Sequence, residues 1–250
     1  MRLRVQSYRP SNSAKVLAQH LNIQRLSTKA SKFVGRPTDI IVNWGNVSKV
    51  HNSIYLNDLQ AVKTAANKLS TFSALIAAEL PVPNIVQLKA DLDETKTYFA
   101  RTNLFGHSGD GIVVGTKNDL PEAQLYTEFI KKKHEYRVIV VDEEAVDIKK
   151  KLKKTEFEGE RSPYVWNLAN GYVFARNGIT FPDNLKQLAI DSIKALNLSY
   201  GAVDIIEDKN GNLFVLEINT AFGLEGTTIQ LVGDAIKNLI TKRRETCVGY

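Results

Sequence analysis

The chain has 250 residues, 43% of them hydrophobic and 24% charged, the balance of an ordinary globular protein with length for one or two domains and a sizeable core. No apolar run approaches the roughly 18–20 residues that span a bilayer, and the opening MRLRVQSYRPSNSAKVL lacks the apolar segment of a signal peptide, so the expected location is the cytoplasm, with no membrane partner. The formal charge of +6 is a modest basic excess, part of it in the runs Lys131–Lys133, Lys149–Lys154 and Lys242–Arg244, and the single cysteine, Cys247, lies in an expected tail and excludes an internal disulfide.

In chain order, Leu3–Val5 reads as a short strand, and Ser11 or Ser13 caps a helix with Ala14, Leu17, Ala18 and Leu21 at helical spacing. Gly35-Arg36-Pro37 breaks the chain, and Asp39–Trp44 follows as a buried strand. Asn57–Leu80 reads as one or two helices, ended by Pro81-Val82-Pro83. A strand, a polar connection and the strand Tyr98–Arg101 come next. Three glycines between Gly106 and Gly111 then describe a hairpin loop whose backbone approaches a ligand closely. Its GxxGxG spacing is neither a P-loop nor a dinucleotide fingerprint.

Leu125–Ile130 reads as a strand, Lys131–Glu135 as a polar connector, and Tyr136–Val141 as a further strand carrying Arg137, which should meet an anionic partner. After a turn at Asp142–Glu144, Lys149 and Lys151 share one face of a strand, suited to an acidic ligand. Residues 155–170 read as a loop, Pro182–Leu198 as an amphipathic helix, and Thr228–Ile240 as a closing helix capped by Thr227 or Thr228.

Between the last two helices lies YGAVDIIEDKNGNLFVLEINTAFGLEGTT, where Asn210-Gly211 marks a two-residue hairpin turn. That register pairs Lys209 with Asn212, Ile206 with Val215 and Asp204 with Glu217. It puts Glu217 and Asn219 on one face and Phe214, Leu216 and Ile218 on the other. Two carboxylates directly opposite repel, so a positive group belongs between them. Asp204, Glu217 and Asn219 form an all-oxygen set suited to Mg²⁺.

The order of these features resembles the ATP-grasp superfamily, in particular its RimK-like carboxylate–amine ligases, over roughly residues 65–240. "VLEINTAFGLEGTT" looks like the family's metal strand and "NLFGHSGDGIVV" like its phosphate-covering loop. The resemblance implies an α+β fold of two lobes with antiparallel sheets (66–127 and 128–250), preceded by a small α/β domain (1–65). It implies ATP contacts from Lys68 and Arg101, the latter standing where lysine is commoner. It further implies a lid of Gly106, His107, Ser108, Gly109 and Gly111, with His107 more readily a solvent-exposed loop residue. Adenine would meet Glu128, Phe129 and Ile130, and the ribose Glu135. Arg137 would bind the γ-phosphate, with Lys149 or Lys151 near the phosphate or an acidic substrate, while Asp204, Glu217 and Asn219 hold Mg²⁺, with Mn²⁺ as an acceptable substitute. Arg161 and Asn167 are candidate substrate contacts.

The activity so implied joins a carboxylate donor to an amine acceptor, such as an acidic amino acid or peptide, through an acylphosphate. Two other readings stand beside it: an ATP-grasp phosphotransferase acting on a small hydroxyl compound, and a non-catalytic binder of nucleic acid or acidic polymer. The last fits poorly, because the basic runs carry no interleaved aromatics.

Overall fold

The computed structural model describes residues 1–26, 31–47, 51–105, 111–176 and 178–248. The chain opens with β1 (Leu3–Ser7), α1 (Asn12–His20), β2 (Gln24–Arg25), β3 (Ile40–Trp44) and β4 (Ile54–Leu56). These strands form a parallel sheet in the order β2-β1-β3-β4. Ser11 caps α1 by accepting the Ala14 N–H at 3.2 Å, and Ala14, Leu17 and Ala18 are the helix's buried face. Strand β3 is buried throughout, in keeping with its β-branched sequence.

Two helices follow, α2 (Leu59–Ala66) and α3 (Lys68–Ala77). Asn67 divides them: its extended backbone ends α2, and its side chain caps α3 through the Ser70 N–H at 3.0 Å. A small antiparallel sheet is then built from β5 (Ile85–Val86), β6 (Tyr98–Arg101), β7 (Ile112–Gly115) and β8 (Leu125–Glu128), in the order β5-β8-β6-β7. Arg101 pairs with Ile112, so β6 and β7 are the antiparallel arms on either side of the glycine-containing stretch.

The large sheet contains β9 (Lys132–Val141), β10 (Glu144–Lys153), β11 (Tyr172–Ala175), β12 (Tyr200–Asp208) and β13 (Leu213–Asn219), in the order β11-β10-β9-β12-β13. Helix α4 (Leu185–Ala195) precedes β12, and α5 (Thr227–Val248) closes the chain, so Cys247 falls within a helix and not in a tail. The segment 131–135, expected as a polar connector, is instead largely strand. Its charged residues are tolerated because Lys132 and Lys151 both pair with Glu135.

One hydrophobic core joins the parallel sheet, α1, α5 and one face of β9 and β12. A second packs α2 and α4 on the opposite face of the large sheet, while the small sheet holds two cores of its own. The parallel sheet is also tied to β12 by the buried Asn57, whose φ of +66° lies in the left-handed region that asparagine tolerates. Asn57 Oδ1 accepts from the N–H groups of Ser199 (2.7 Å) and Tyr200 (3.1 Å), and Nδ2 donates to the Tyr200 carbonyl at 2.9 Å.

Among the described residues no helix is long and apolar enough to cross a membrane.

Candidate active site

The β12–β13 hairpin places Asp204 opposite Glu217, though not by the turn read from the sequence. Asp208 N–H donates to the Asn212 carbonyl at 3.0 Å, and the Asp208 carboxylate accepts from the N–H groups of Asn210 (2.8 Å) and Asn212 (2.9 Å). The turn therefore spans Lys209, Asn210 and Gly211, with Gly211 at φ +87°. The extra residue shifts the register, so that Ile206 pairs with Phe214 and not Val215. A β-bulge at Leu216 then restores it. The bulge also corrects the face assignment: Leu213, Val215 and Ile218 enter the core, while Leu216 lines the same cleft as Glu217.

Registers on either side of β9 extend this pair into a row across four strands: Lys149, Arg137, Asp204 and Glu217. Two cations followed by two anions explain how the adjacent carboxylates are tolerated. Arg137 grips Asp204 with Nε and Nη2, both at 2.6 Å, the bidentate geometry that favours arginine. Lys68 reaches Glu217 Oε2 at 2.5 Å from the start of α3, and Asn219 Nδ2 donates to Oε1 at 2.8 Å. Burial alone would raise the Glu217 pKa, but Lys68 and the Asn219 hydrogen bond hold it well below the usual carboxylate range. At Asp204 burial pushes the pKa upward against the pull of Arg137.

Of this row only Asp204 and Glu217 line the cleft between the small and large sheets, where they form part of its floor; Arg137 does not line it. Phe99, Arg101 and Thr127 line one wall; Glu135, Asp204 and Glu217 line the other. Phe129, Ile130, Ile206 and Leu216 give the cleft an apolar part. Phe129 meets Phe99 and Tyr164 edge-on at 5.6 and 5.2 Å. Glu128 lines the cleft and pairs with Lys96 at 2.9 Å. Arg101 has a buried Nε with no hydrogen-bond partner, and burial pushes its pKa down, only partly opposed by Glu217. A cation held there is a place for an anion.

Of the other sequence-derived candidates, Glu135 is buried between Lys132 and Lys151, and all three line the cleft. Burial lowers the Lys132 pKa, with Glu135 opposing it. Asn167 lines the cleft and caps a short helical turn at Leu168–Asn170. Arg161 does not line it: its guanidinium donates to the Lys154 carbonyl at 2.7 Å and stacks on Phe157. Lys149 is likewise drawn aside, bonding Thr228 Oγ1 at 2.6 Å beside Asp147. Gly111 sits at the hairpin base with φ +69°, whereas Gly106, His107, Ser108 and Gly109 lie outside the described residues.

Sequence reasoning missed Lys132 and Trp166, whose ring lies 4.6 Å from Lys132 Nζ. It also missed the cluster in which Asp147 accepts from Arg176 and Thr228, each at 2.8 Å. Alternation from Lys149 and Lys151 back to Asp147 was the available signal; nothing local marked Arg176 or Thr228.

Two carboxylates and an amide oxygen suit a hard cation such as Mg²⁺. The donor set of Asp204, Glu217 and Asn219 therefore fits one. Among the described residues no group of three or more His, Cys, Asp and Glu side chains is arranged to hold a metal.

The RimK-like ATP-grasp domain model matches residues 65–242. The chain belongs to that family. A probable alpha-L-glutamate ligase from Haemophilus influenzae is 29% identical over 189 residues, covering 68% of this chain, and the match spans 60% of that relative's length. Among solved structures, the ATP-grasp ligase PsnB complexed with a minimal precursor superposes with a TM-score of 0.65 at 12% identity, covering 95% of this chain and 99% of PsnB. D-alanine–D-alanine ligase from Bacillus anthracis superposes with a TM-score of 0.63 at 16% identity, covering 98% and 99% of the two chains. At those identities the shared property is the ATP-grasp fold, an α+β arrangement with antiparallel sheets preceded by a smaller α/β part.

Proposed function

We propose that this chain is an ATP- and Mg²⁺-dependent carboxylate–amine ligase that forms an amide bond through an acylphosphate. The observation that carries the reading is the Lys149–Arg137–Asp204–Glu217 row laid across one sheet, its two carboxylates on the floor of a cleft that also has an apolar and aromatic part. A triphosphate with its metal suits the charged part, and a flat base suits the other.

In this reading the Glu128–Ile130 backbone and the side chains of Phe129, Ile206 and Leu216 receive adenine, and Glu135 the ribose hydroxyls. Lys68, Arg101, Arg137 and Lys151 face the phosphates, and the loop carrying Gly106, His107, Ser108, Gly109 and Gly111 covers them. Asp204, Glu217 and Asn219 would hold Mg²⁺, which supplies charge neutralisation for the transferring phosphoryl group. Of the two lysines that share a face of β10, Lys151 lines the cleft and is the one placed to meet a donor carboxylate, whereas Lys149 is held by Thr228. The units of this reading are the 1–65 part and the two following segments, 66–127 and 128–250, with the first and last joined by a shared core.

The chemistry follows. A carboxylate cannot be attacked directly by an amine, because hydroxide is a poor leaving group. A donor carboxylate oxygen attacks the γ-phosphorus, and the bond to ADP breaks. The amine nitrogen then attacks the acyl carbon, phosphate departs with the bonding electrons, and the surplus amine proton passes to water. The protein supplies orientation and charge neutralisation and needs no nucleophile of its own. The names of the relatives support an acidic amino acid or a peptide among the substrates.

The test is release of ADP and phosphate from ATP with Mg²⁺ and mixtures of amino acids and short peptides, dependent on both a carboxylate and an amine. Turnover to a stable phosphorylated product without any amine would replace the ligase with a phosphotransferase. Absence of nucleotide binding by calorimetry would remove both.

A further inference from the structure

We propose that a second cleft, beyond the carboxyl ends of β1 and β3, is the seat of a substrate that presents a carboxylate on an apolar body; the inference rests on the ligase reading and adds the chemistry of one substrate to it. Strand order supplies the first argument. In β2-β1-β3-β4 the chain steps from β1 to β2 on one side and resumes with β3 on the other, so β1 and β3 flank the point where the winding reverses. Ligands of open α/β sheets bind in the crevice outside the carboxyl ends of the strands at that point. A cleft lies there, lined by Tyr8 and Arg9 after β1 and by Trp44 and Gly45 at the end of β3.

Position supplies the second. The opposite side of this cleft is made by Lys68, Asn219 and Ala221, so it abuts the Glu217 end of the first site. Gly45, at φ +74°, makes the approach close: a Cβ there would stand 2.7 Å from the Ala221 Cβ.

Chemistry supplies the third. Among the described residues no acidic side chain lines the cleft. Arg9 makes no ion pair with any of them, and its guanidinium lies 5.4 Å from the Tyr8 ring. Helix α1 begins at the same place with no acidic residue in its first turn, which adds a partial positive charge. Trp44, only 1% exposed, has an indole N–H without an acceptor. Lys68 is already held by Glu217, so among the described lining residues one free cation remains, matching a singly charged carboxylate better than a phosphate. Tyr8 and Phe105, 47% and 60% exposed, offer aromatic surface to the rest of the ligand.

The chain's two tryptophans make the test direct. Trp166→Phe leaves Trp44 as the reporter of this cleft, and Trp44→Phe leaves Trp166 as the reporter of the nucleotide cleft. The probes are the twenty free amino acids and a set of short peptides, each beside its C-terminal amide. The expected result is a saturable change in Trp44 emission with acids, at least about tenfold weaker with the matching amides and about tenfold weaker in an added Arg9→Ala substitution. A response to free acids alone identifies an amino acid, and a response to peptide acids a peptide C-terminus. Equal binding of acids and amides, no loss with Arg9→Ala, or no Trp44 response to any acid overturns the inference. Calorimetry of the same probes on the unsubstituted chain and on Arg9→Ala alone separates the same outcomes if either tryptophan variant fails to fold. Mg²⁺–ADP should move Trp166 emission and leave Trp44 unmoved; a Trp166 response to Mg²⁺–ADP together with silence of Trp44 toward every acid keeps the nucleotide reading while removing this one.

Discussion

Apart from the partly exposed Glu128–Lys96 pair, the two walls of the cleft solve the burial of charge in opposite ways. On the large sheet, cations meet carboxylates: Arg137 with Asp204, Lys151 and Lys132 with Glu135, with Lys68 from α3 completing the set at Glu217. On the small sheet, Arg101 stands among Phe99, Ile112 and Thr127 with a buried Nε that has no partner. A paired wall holds its shape through its own ions. An unpaired one stores an unfavourable desolvation that an incoming anion relieves.

The largest expected effect comes from breaking the paired wall at Glu217. Glu217→Gln should lower ATP-dependent turnover by about 10²–10³-fold, measured as ADP release, while circular dichroism stays unchanged. Next, Arg137→Met leaves Asp204 buried without compensation and should destabilise the chain by about 3–5 kcal/mol in urea titrations, the scale found when one partner of a buried pair is removed. Replacing both residues, Arg137→Met with Asp204→Leu, should restore most of that loss.

The unpaired wall should behave in the reverse sense. Arg101→Met removes a buried cation without orphaning an anion, so stability should hold or rise by about 1 kcal/mol. Nucleotide affinity should fall about tenfold or more, since a hydrogen bond to a charged group is worth about 1.5–3 kcal/mol. Loss of stability with unchanged affinity would erase the contrast between the walls.

Acid titration sharpens it further. The folded Glu217 pKa lies below its unfolded value of about 4.3. Its contribution is therefore fully present above that unfolded value and is lost as pH falls through the lower folded one. The stability gap between the parent chain and Glu217→Gln should be flat above about pH 5 and shrink progressively below pH 4. A gap that widened toward acid would reverse the assigned direction.

Much of this site was legible because its signals are local. The Asp204…Glu217-x-Asn219 spacing and the lone arginine at the start of an apolar strand each mark their residues by local pattern. The pairing of Asp204 with Glu217 was nevertheless reached through two errors that cancel, a turn one residue too short and an unforeseen bulge at Leu216. Bulges answer to packing between sheets, which periodicity does not record. The same limit hid Arg176 and Thr228, brought to Asp147 from points 29 and 81 residues away in sequence. Lys68 stood in a helical run with nothing to separate it, on local grounds, from a surface lysine. Its burial is decided by β13, far along the chain.

A last predicted effect lies away from the cleft, at Asn57. Asn57→Ala strands the Ser199 and Tyr200 backbone groups and puts a residue without asparagine's tolerance at positive φ; a loss of about 1–3 kcal/mol is expected in denaturant titrations. The larger meaning of this residue is mechanical. Three hydrogen bonds from one side chain, together with a core shared across the boundary, rivet the parallel sheet to the large one. Hydrogen exchange should therefore find β3 and β12 opening as a single cooperative unit. The small sheet, filled by cores of its own, should open separately and sooner. Such a partition leaves the small sheet as the jaw and the rest of the molecule as the anvil.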